Sequence, residues 1–214
     1  MRSQKRGAEP GVLTQNKKRW TAAWKKRRTQ NMAAAFNWPT AVKKRVQGKE
    51  TNAAKKQRML NHILRPILAA QTQKHCSFCD SFPIEPPGKE TIEHFRPKST
   101  YEERAYEWDN LFLACSCCQS AKGEGFDEAL LKPDENGFQF DDWFLADLTD
   151  GRLDPHPKLQ GVELDRAEKT IVLYGLDSPE QRAARKLWIH EYGPKHQGSA
   201  LDNLPFREWM KHLV

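Results

Sequence analysis

The chain lacks any apolar run approaching the roughly 20 residues that a membrane-spanning helix requires, so no membrane contact is expected. Its charged start, Met1-Arg-Ser-Gln-Lys-Arg6, lacks the apolar stretch of a secretory leader, and a cytoplasmic protein is expected. Cysteine is scarce: five in 214 residues are too few for a disulfide framework at this length and suit thiolates that serve a metal in a reducing compartment. No internal repeat is visible, which sets aside solenoids and arrays. Hydrophobic residues reach only 38%, low for one tightly packed globule, so part of the chain is expected to be extended or folded onto a partner. Seven Trp and ten Phe still supply bulky material for a core.

Acidic residues are nearly missing from one end. Residues 1–60 hold 17 Lys and Arg against two acidic residues, a net +15, while the rest of the chain carries −8, giving +7 in all. A basic segment ahead of a mildly acidic body points to phosphate neutralisation on a nucleic acid, or to a solvated tail. Within it Trp20 and Trp24 stand four residues apart, on one face of a helix. They suit stacking on bases, docking in a protein groove, or packing on the chain's own core.

The organisation reads in three parts. Residues 1–50 form a basic arm, partly flexible or docked on a partner. Residues 51–130 hold a helix and a cysteine-rich core; Met59, Leu60, Ile63, Leu64, Ile67 and Leu68 fall on one helical stripe, with Thr51 or Asn52 as cap and a kink or break at Pro66. Thr91 to Phe95 reads as a strand, and Gln119 to Gly123 as the first turn of a short helix. Residues 131–214 hold a hairpin signalled by Asp150-Gly151, a helix over 163–174, and a helix capped by Ser178 with Pro179 at its first position, running to about Tyr192. A last short helix is expected among Leu204, Phe206, Trp209, Met210 and Leu213.

The chemistry concentrates between two C-x-x-C pairs, Cys76-Ser-Phe-Cys79 and Cys115-Ser-Cys-Cys118. Two such knuckles offer four thiolates to tetrahedral zinc. Cys117 is left over; Cys115 with Cys117 is a poorer alternative spacing to Cys115 with Cys118. The 35 residues between the pairs exceed a zinc-ribbon spacing and favour a site inserted between them. That insert carries Glu93-His94, Arg96, Lys98 and Asn110, and the second knuckle is followed by Gln119 and Lys122.

This order, C-x-x-C, Glu-His, Asn, C-x-x-C, resembles the HNH nucleases over residues 76–123. The resemblance implies an α+β fold: a ββα-metal core stapled by a four-cysteine zinc site, with flanking helices. It also implies hydrolysis of phosphodiester bonds. Such a reaction needs a base, and His94, neutral near pH 7, suits that role. Glu93 would bind a catalytic Mg²⁺ or Mn²⁺, a bend letting two strand neighbours serve one site. Asn110 matches the signature Asn that bonds backbone across the loop and holds the histidine. Lys122, Arg96 and Lys98 would contact the substrate phosphate. Gln119 departs from the usual His or Asn that completes the metal site, though its amide oxygen still suits a weak ligand.

Ile92-Glu-His-Phe-Arg-Pro-Lys-Ser99, Glu107-Trp-Asp-Asn-Leu-Phe112, Cys118-Gln-Ser-Ala-Lys-Gly123 and the segment Ala167 to Leu176 followed by Arg182 and Arg185 look like the PtuB HNH subunit of Septu-type anti-phage systems. That likeness, over roughly residues 70–190, implies an ABC-type ATPase partner, PtuA, and nucleic acid as substrate, DNA ahead of RNA. Two other classes compete: a zinc-stabilised nucleic-acid or protein binding module that has lost catalysis, and a stand-alone restriction-type HNH enzyme.

Overall fold

The computed structural model describes residues 1–29, 60–84 and 90–214, the side chains of Arg27, Leu60, Asn61 and His62 excepted. Residues 30–59 and 85–89, which include the expected cap at Thr51 or Asn52, Met59 and part of the basic arm, lie outside the described residues. The described chain is a mixed α+β structure with two small antiparallel sheets, each of two strands. No helix among the described residues is long and apolar enough to cross a membrane.

α1 spans Gly11–Thr29. Leu13, Trp20 and Trp24 recur at i, i+7 and i+11, one face of a 3.6-residue helix, and all three are buried. Trp20 meets Tyr106 at 5.8 Å between rings, and Trp24 Nε1 donates to the Lys98 carbonyl at 3.3 Å. The two indoles therefore pack on the chain's own core. Ahead of α1, the Arg6 guanidinium lies over the Phe112 ring at 4.4 Å and donates to the Trp108 carbonyl at 2.6 Å, while pairing with Asp134. Trp108 Nε1 returns a hydrogen bond to the Gly7 carbonyl at 2.9 Å. Within residues 1–29, Met1, Leu13, Trp20 and Trp24 are buried and anchor the segment, while much of the rest stays exposed.

α2 spans Leu60–Gln71 and runs through Pro66 without a break. Proline removes one backbone hydrogen bond from a helix interior, but Leu64 and Leu68, one turn apart, are both buried and hold the two halves in line. β1 (Thr91–His94) pairs with β2 (Leu111–Ala114) in the register Thr91↔Ala114 to His94↔Leu111. α3 (Ser116–Lys122) follows directly, its start capped by the Cys115 sulfur and its end closed by Gly123 at φ +52°.

α4 (Phe140–Trp143) is one helical turn that buries Phe140. β3 (Phe144–Ala146) and β4 (Leu153–Pro155) form the expected hairpin. Its turn is closed by Asp147, whose carbonyl accepts from Gly151 N at 3.1 Å and whose Oδ1 accepts from Thr149 N at 2.7 Å. Gly151 sits at φ +75°, and a Cβ there would fall 2.7 Å from the Arg182 carbonyl, so only glycine fits.

α5 (Gly161–Leu173) puts Ala167 and, just past its end, Tyr174 in the core. α6 (Pro179–Leu187) starts at Ser178, whose hydroxyl accepts from Gln181 N at 3.3 Å. A π-helical turn carries it on to Tyr192. α7 (Arg207–Met210) docks Trp209 and Met210 fully into the core.

Phe78 of the first knuckle stacks on Tyr174 at 4.0 Å, so the C-terminal half packs directly against the cysteine-bearing segment.

Candidate functional site

Four sulfurs meet where β2 passes into α3. Cys76, Cys79, Cys115 and Cys118 are all buried, and their Sγ atoms lie within 4.8 Å of one another. A tetrahedral zinc with Zn–S near 2.3 Å sets neighbouring sulfurs about 3.8 Å apart; the Cys79 and Cys115 sulfurs stand at 3.6 Å. Backbone amides point at the sulfurs, Cys115 N to Cys76 Sγ at 3.3 Å and Cys118 N to Cys115 Sγ at 3.5 Å. Hydrogen bonds from Cys115 and Cys118 hold the Cys79 thiol well below its usual range, whereas burial pushes Cys76 well above it. The donor set, its size and its burial fit a structural zinc. Cys117 is exposed and outside the cluster, which resolves the spacing in favour of Cys115 with Cys118.

The first knuckle is fixed from the far end of the chain. Asp80, directly after Cys79, sits in the left-handed region at φ +61° and is buried. Its carboxylate accepts from Arg207 N at 2.7 Å and from the Arg207 guanidinium at 2.6 Å, and its carbonyl accepts from Phe206 N at 2.8 Å. His75, directly before Cys76, hydrogen-bonds the Leu204 carbonyl at 2.8 Å. Nothing local in the sequence announces this clamp.

A cleft of about 390 Å³ is lined by Ile92, Glu93, His94, Pro97, Lys98, Gln119, Gly123 and Glu124. Glu93 and His94, neighbours at the end of β1, both border it. His94 is buried, and its Nε2 lies 3.0 Å from the Ala105 carbonyl. A carbonyl only accepts, so Nε2 carries the proton and Nδ1 the lone pair. Burial, with help from the Lys98 charge, pulls the imidazole down to about 3, so it is neutral at physiological pH.

Asn110 holds the loop after His94. Its Oδ1 accepts from Arg96 N at 2.7 Å, and its Nδ2 donates to the carbonyls of Arg96 and Arg104, each at 3.0 Å. Glu93 is nearly enclosed, and burial raises its carboxyl above the usual range although the Lys122 ammonium and the Gln119 amide pull it back. Lys122 donates to Glu93 Oε1 at 2.8 Å with a side chain 0% exposed. The cation expected to face a phosphate thus lies on the carboxylate beside it.

Arg96 is engaged as well. It forms a bidentate pair with Glu128 at 2.5 and 2.6 Å and lies over the Phe126 ring at 4.8 Å. Lys98 and Gln119 line the cleft wall, the Gln119 amide beside Glu93. Sequence reasoning missed Glu124 at the rim, where it accepts a hydrogen bond from the Ser99 hydroxyl and ties α3 to the loop after β1. Its place just past the helix-ending Gly123 was the available signal.

Cleft, histidine and sulfur cluster therefore meet around one small unit: β1 carries Glu93 and His94, Cys115 follows β2 as the cap of α3, and α3 carries Cys118, Gln119 and Lys122. Comparison with protein-family models gives no match, and comparison with the curated proteins gives none either.

Proposed function

We propose that this chain is a metal-dependent HNH-type endonuclease that hydrolyses phosphodiester bonds, the nuclease effector of a Septu-type anti-phage system acting with an ABC-type ATPase. The observation that carries the reading is the cleft where His94, oriented through the Ala105 carbonyl, sits beside Glu93 and Gln119, with Asn110 bracing the intervening loop. The β1–β2–α3 unit on a four-cysteine cluster supports an HNH ββα core. In this reading His94 Nδ1 takes a proton from the attacking water as general base. Asn110 keeps the loop, and with it the imidazole, in place.

Glu93 and Gln119 would hold a divalent Mg²⁺ or Mn²⁺ through oxygen atoms, the donors such ions prefer. That ion would offset charge on the phosphate. The fit is partial, because Glu93 Oε1 already shares its charge with Lys122. Lys98 at the cleft wall suits phosphate contact.

The Glu93–Lys122 pair also favours a second reading, a zinc-stabilised nucleic-acid or protein binding module in which the carboxylate is neutralised for good. Nicking of supercoiled plasmid with Mg²⁺ or Mn²⁺ separates the two. Wild type and His94→Ala are compared, each with and without a co-expressed ATPase partner. Metal-dependent nicking that vanishes in His94→Ala, with zinc content kept, is expected of the nuclease. Absence of cleavage by folded, zinc-loaded wild type on both DNA and RNA would leave the binding module.

A further inference from the structure

α1 is 19 residues long, has seven Lys and Arg, and contains no Asp or Glu. Its inward face is settled by Leu13, Trp20 and Trp24. At 100° per residue, Lys18 and Lys25 fall on one flank of the outward face, and Arg19 and Lys26 on the other. Gln15, Ala22 and Thr29 run down the strip between them. All seven of these residues are exposed. Within each cationic row the two members stand seven residues apart, about 10 Å along the axis.

The remaining cations of α1 whose side chains are described are already engaged. Lys17 pairs with Glu9 and Glu107, and Arg28 with Glu102. Among the described residues, Lys18, Arg19, Lys25 and Lys26 meet no carboxylate within ion-pair distance. Two cationic rows flanking a strip of small and uncharged residues are shaped to straddle a polyanionic chain.

A second observation ties this face to the cleft. Trp24 anchors α1 on the Lys98 carbonyl, in the loop that supplies Pro97 and Lys98 to the cleft wall. Arg28 pairs with Glu102 in the same excursion between β1 and β2. The helix is therefore held against the segment that carries the candidate chemistry.

We propose that the outward face of α1 is a sequence-independent track for the phosphodiester backbone of a nucleic acid, delivering it to the cleft. The inference rests on the nuclease reading and adds to it the surface that does the binding. Phosphate neutralisation by four side chains releases counterions, so affinity falls steeply with salt, by about 0.9 log units per contact per decade on duplex DNA.

The test uses the full chain and fluorescence anisotropy with three probes: a labelled 30-base-pair DNA duplex, a single-stranded RNA of the same length, and vesicles containing anionic phospholipid. A variant carrying Lys18→Gln, Arg19→Gln, Lys25→Gln and Lys26→Gln is compared with wild type and with a charge-preserving variant, Lys18→Arg, Arg19→Lys, Lys25→Arg and Lys26→Arg. Circular dichroism and zinc content verify the fold. The Gln variant is expected to bind nucleic acid about tenfold or more weakly at low salt, with the slope of log K against log salt flattened by about 3 to 4. The charge-preserving variant is expected to match wild type. The DNA and RNA arms show which backbone is taken.

Equal affinity and equal slope in wild type and the Gln variant would overturn the track while leaving plasmid nicking, and with it the nuclease reading, intact. Wild type that binds vesicles but neither nucleic acid would overturn the track too. In that case persistent nicking lost in His94→Ala would still support the nuclease.

Discussion

Asn110 brackets the backbone of Arg96, accepting from its amide at 2.7 Å and donating to its carbonyl at 3.0 Å, across a chain separation of 14 residues. The side chain acts as a piece of backbone, closing the excursion between β1 and β2 where no strand pairing reaches. His94 lies two residues from that bracket.

Asn110→Ala removes three part-buried hydrogen bonds, two to the Arg96 backbone and one to the Arg104 carbonyl, which keeps only the Glu107 amide. A loss of about 3 kcal/mol is expected, read from urea midpoints. Because the side-chain hydrogen bonds of Asn110 go to Arg96 and Arg104 and to none of the four cysteines, zinc content should be kept while any His94-dependent cleavage falls at least as far as stability predicts.

Arg207 and Asp80 form a buried pair with side chains 5% and 2% exposed. Removing one partner strands a buried charge, and Arg207→Ala is expected to cost about 3–5 kcal/mol. The same change loosens the turn after Cys79, so release of zinc to a chromogenic chelator should be faster than in wild type.

The cysteines separate cleanly. Cys115→Ser removes a cluster sulfur together with the cap of α3 and is expected to abolish zinc binding and cooperative unfolding. Cys117→Ser changes an exposed side chain outside the cluster and should leave both untouched. Chelation of wild type should reproduce the Cys115→Ser state, since structural zinc contributes its binding energy to folding.

His94 gives stability a pH dependence of known sign. Its imidazole is held at about 3 when folded, against 6.5 unfolded. Between those values the unfolded chain binds a proton that the folded one refuses, so stability is complete above pH 6.5 and is lost as pH falls toward 3. From pH 7 to pH 5 the loss from this group is on the order of 2 kcal/mol. His94→Gln should show a correspondingly flatter urea-midpoint profile. Acid weakening of the cysteine cluster affects both proteins alike and cancels in the comparison.

The parts of the fold written in short-range signals were legible. The knuckle spacing, the Ser178 cap, the hairpin at Gly151 and the stripe of α5 each depend on residues within a turn or two of one another. Glu93, His94 and Gln119 line one cleft.

What escaped the sequence were pairings at long range. Nothing near Lys122 says that its ammonium turns under β1 to Glu93, or that Arg96 reaches Glu128. A helical stripe interrupted by Pro66 reads locally as a break; only the burial of Leu64 and Leu68 keeps it whole. Trp20 and Trp24 carry no local mark that distinguishes a stacking platform from a core anchor. Their partners, Tyr106 and Lys98, lie more than 70 residues on.

The clamp of residues 204–207 on His75 and Asp80 bears on the order in which the protein can be built. During synthesis the first knuckle leaves the ribosome about 130 residues before the carbonyl, amide and guanidinium that fix its two flanks. A nascent chain can gather all four sulfurs once Cys118 is out, yet it holds them on an unsecured turn. The metal centre reaches its final rigidity only when Leu204, Phe206 and Arg207 arrive. A protein assembled this way would remain immature until nearly the whole of this sequence had been made.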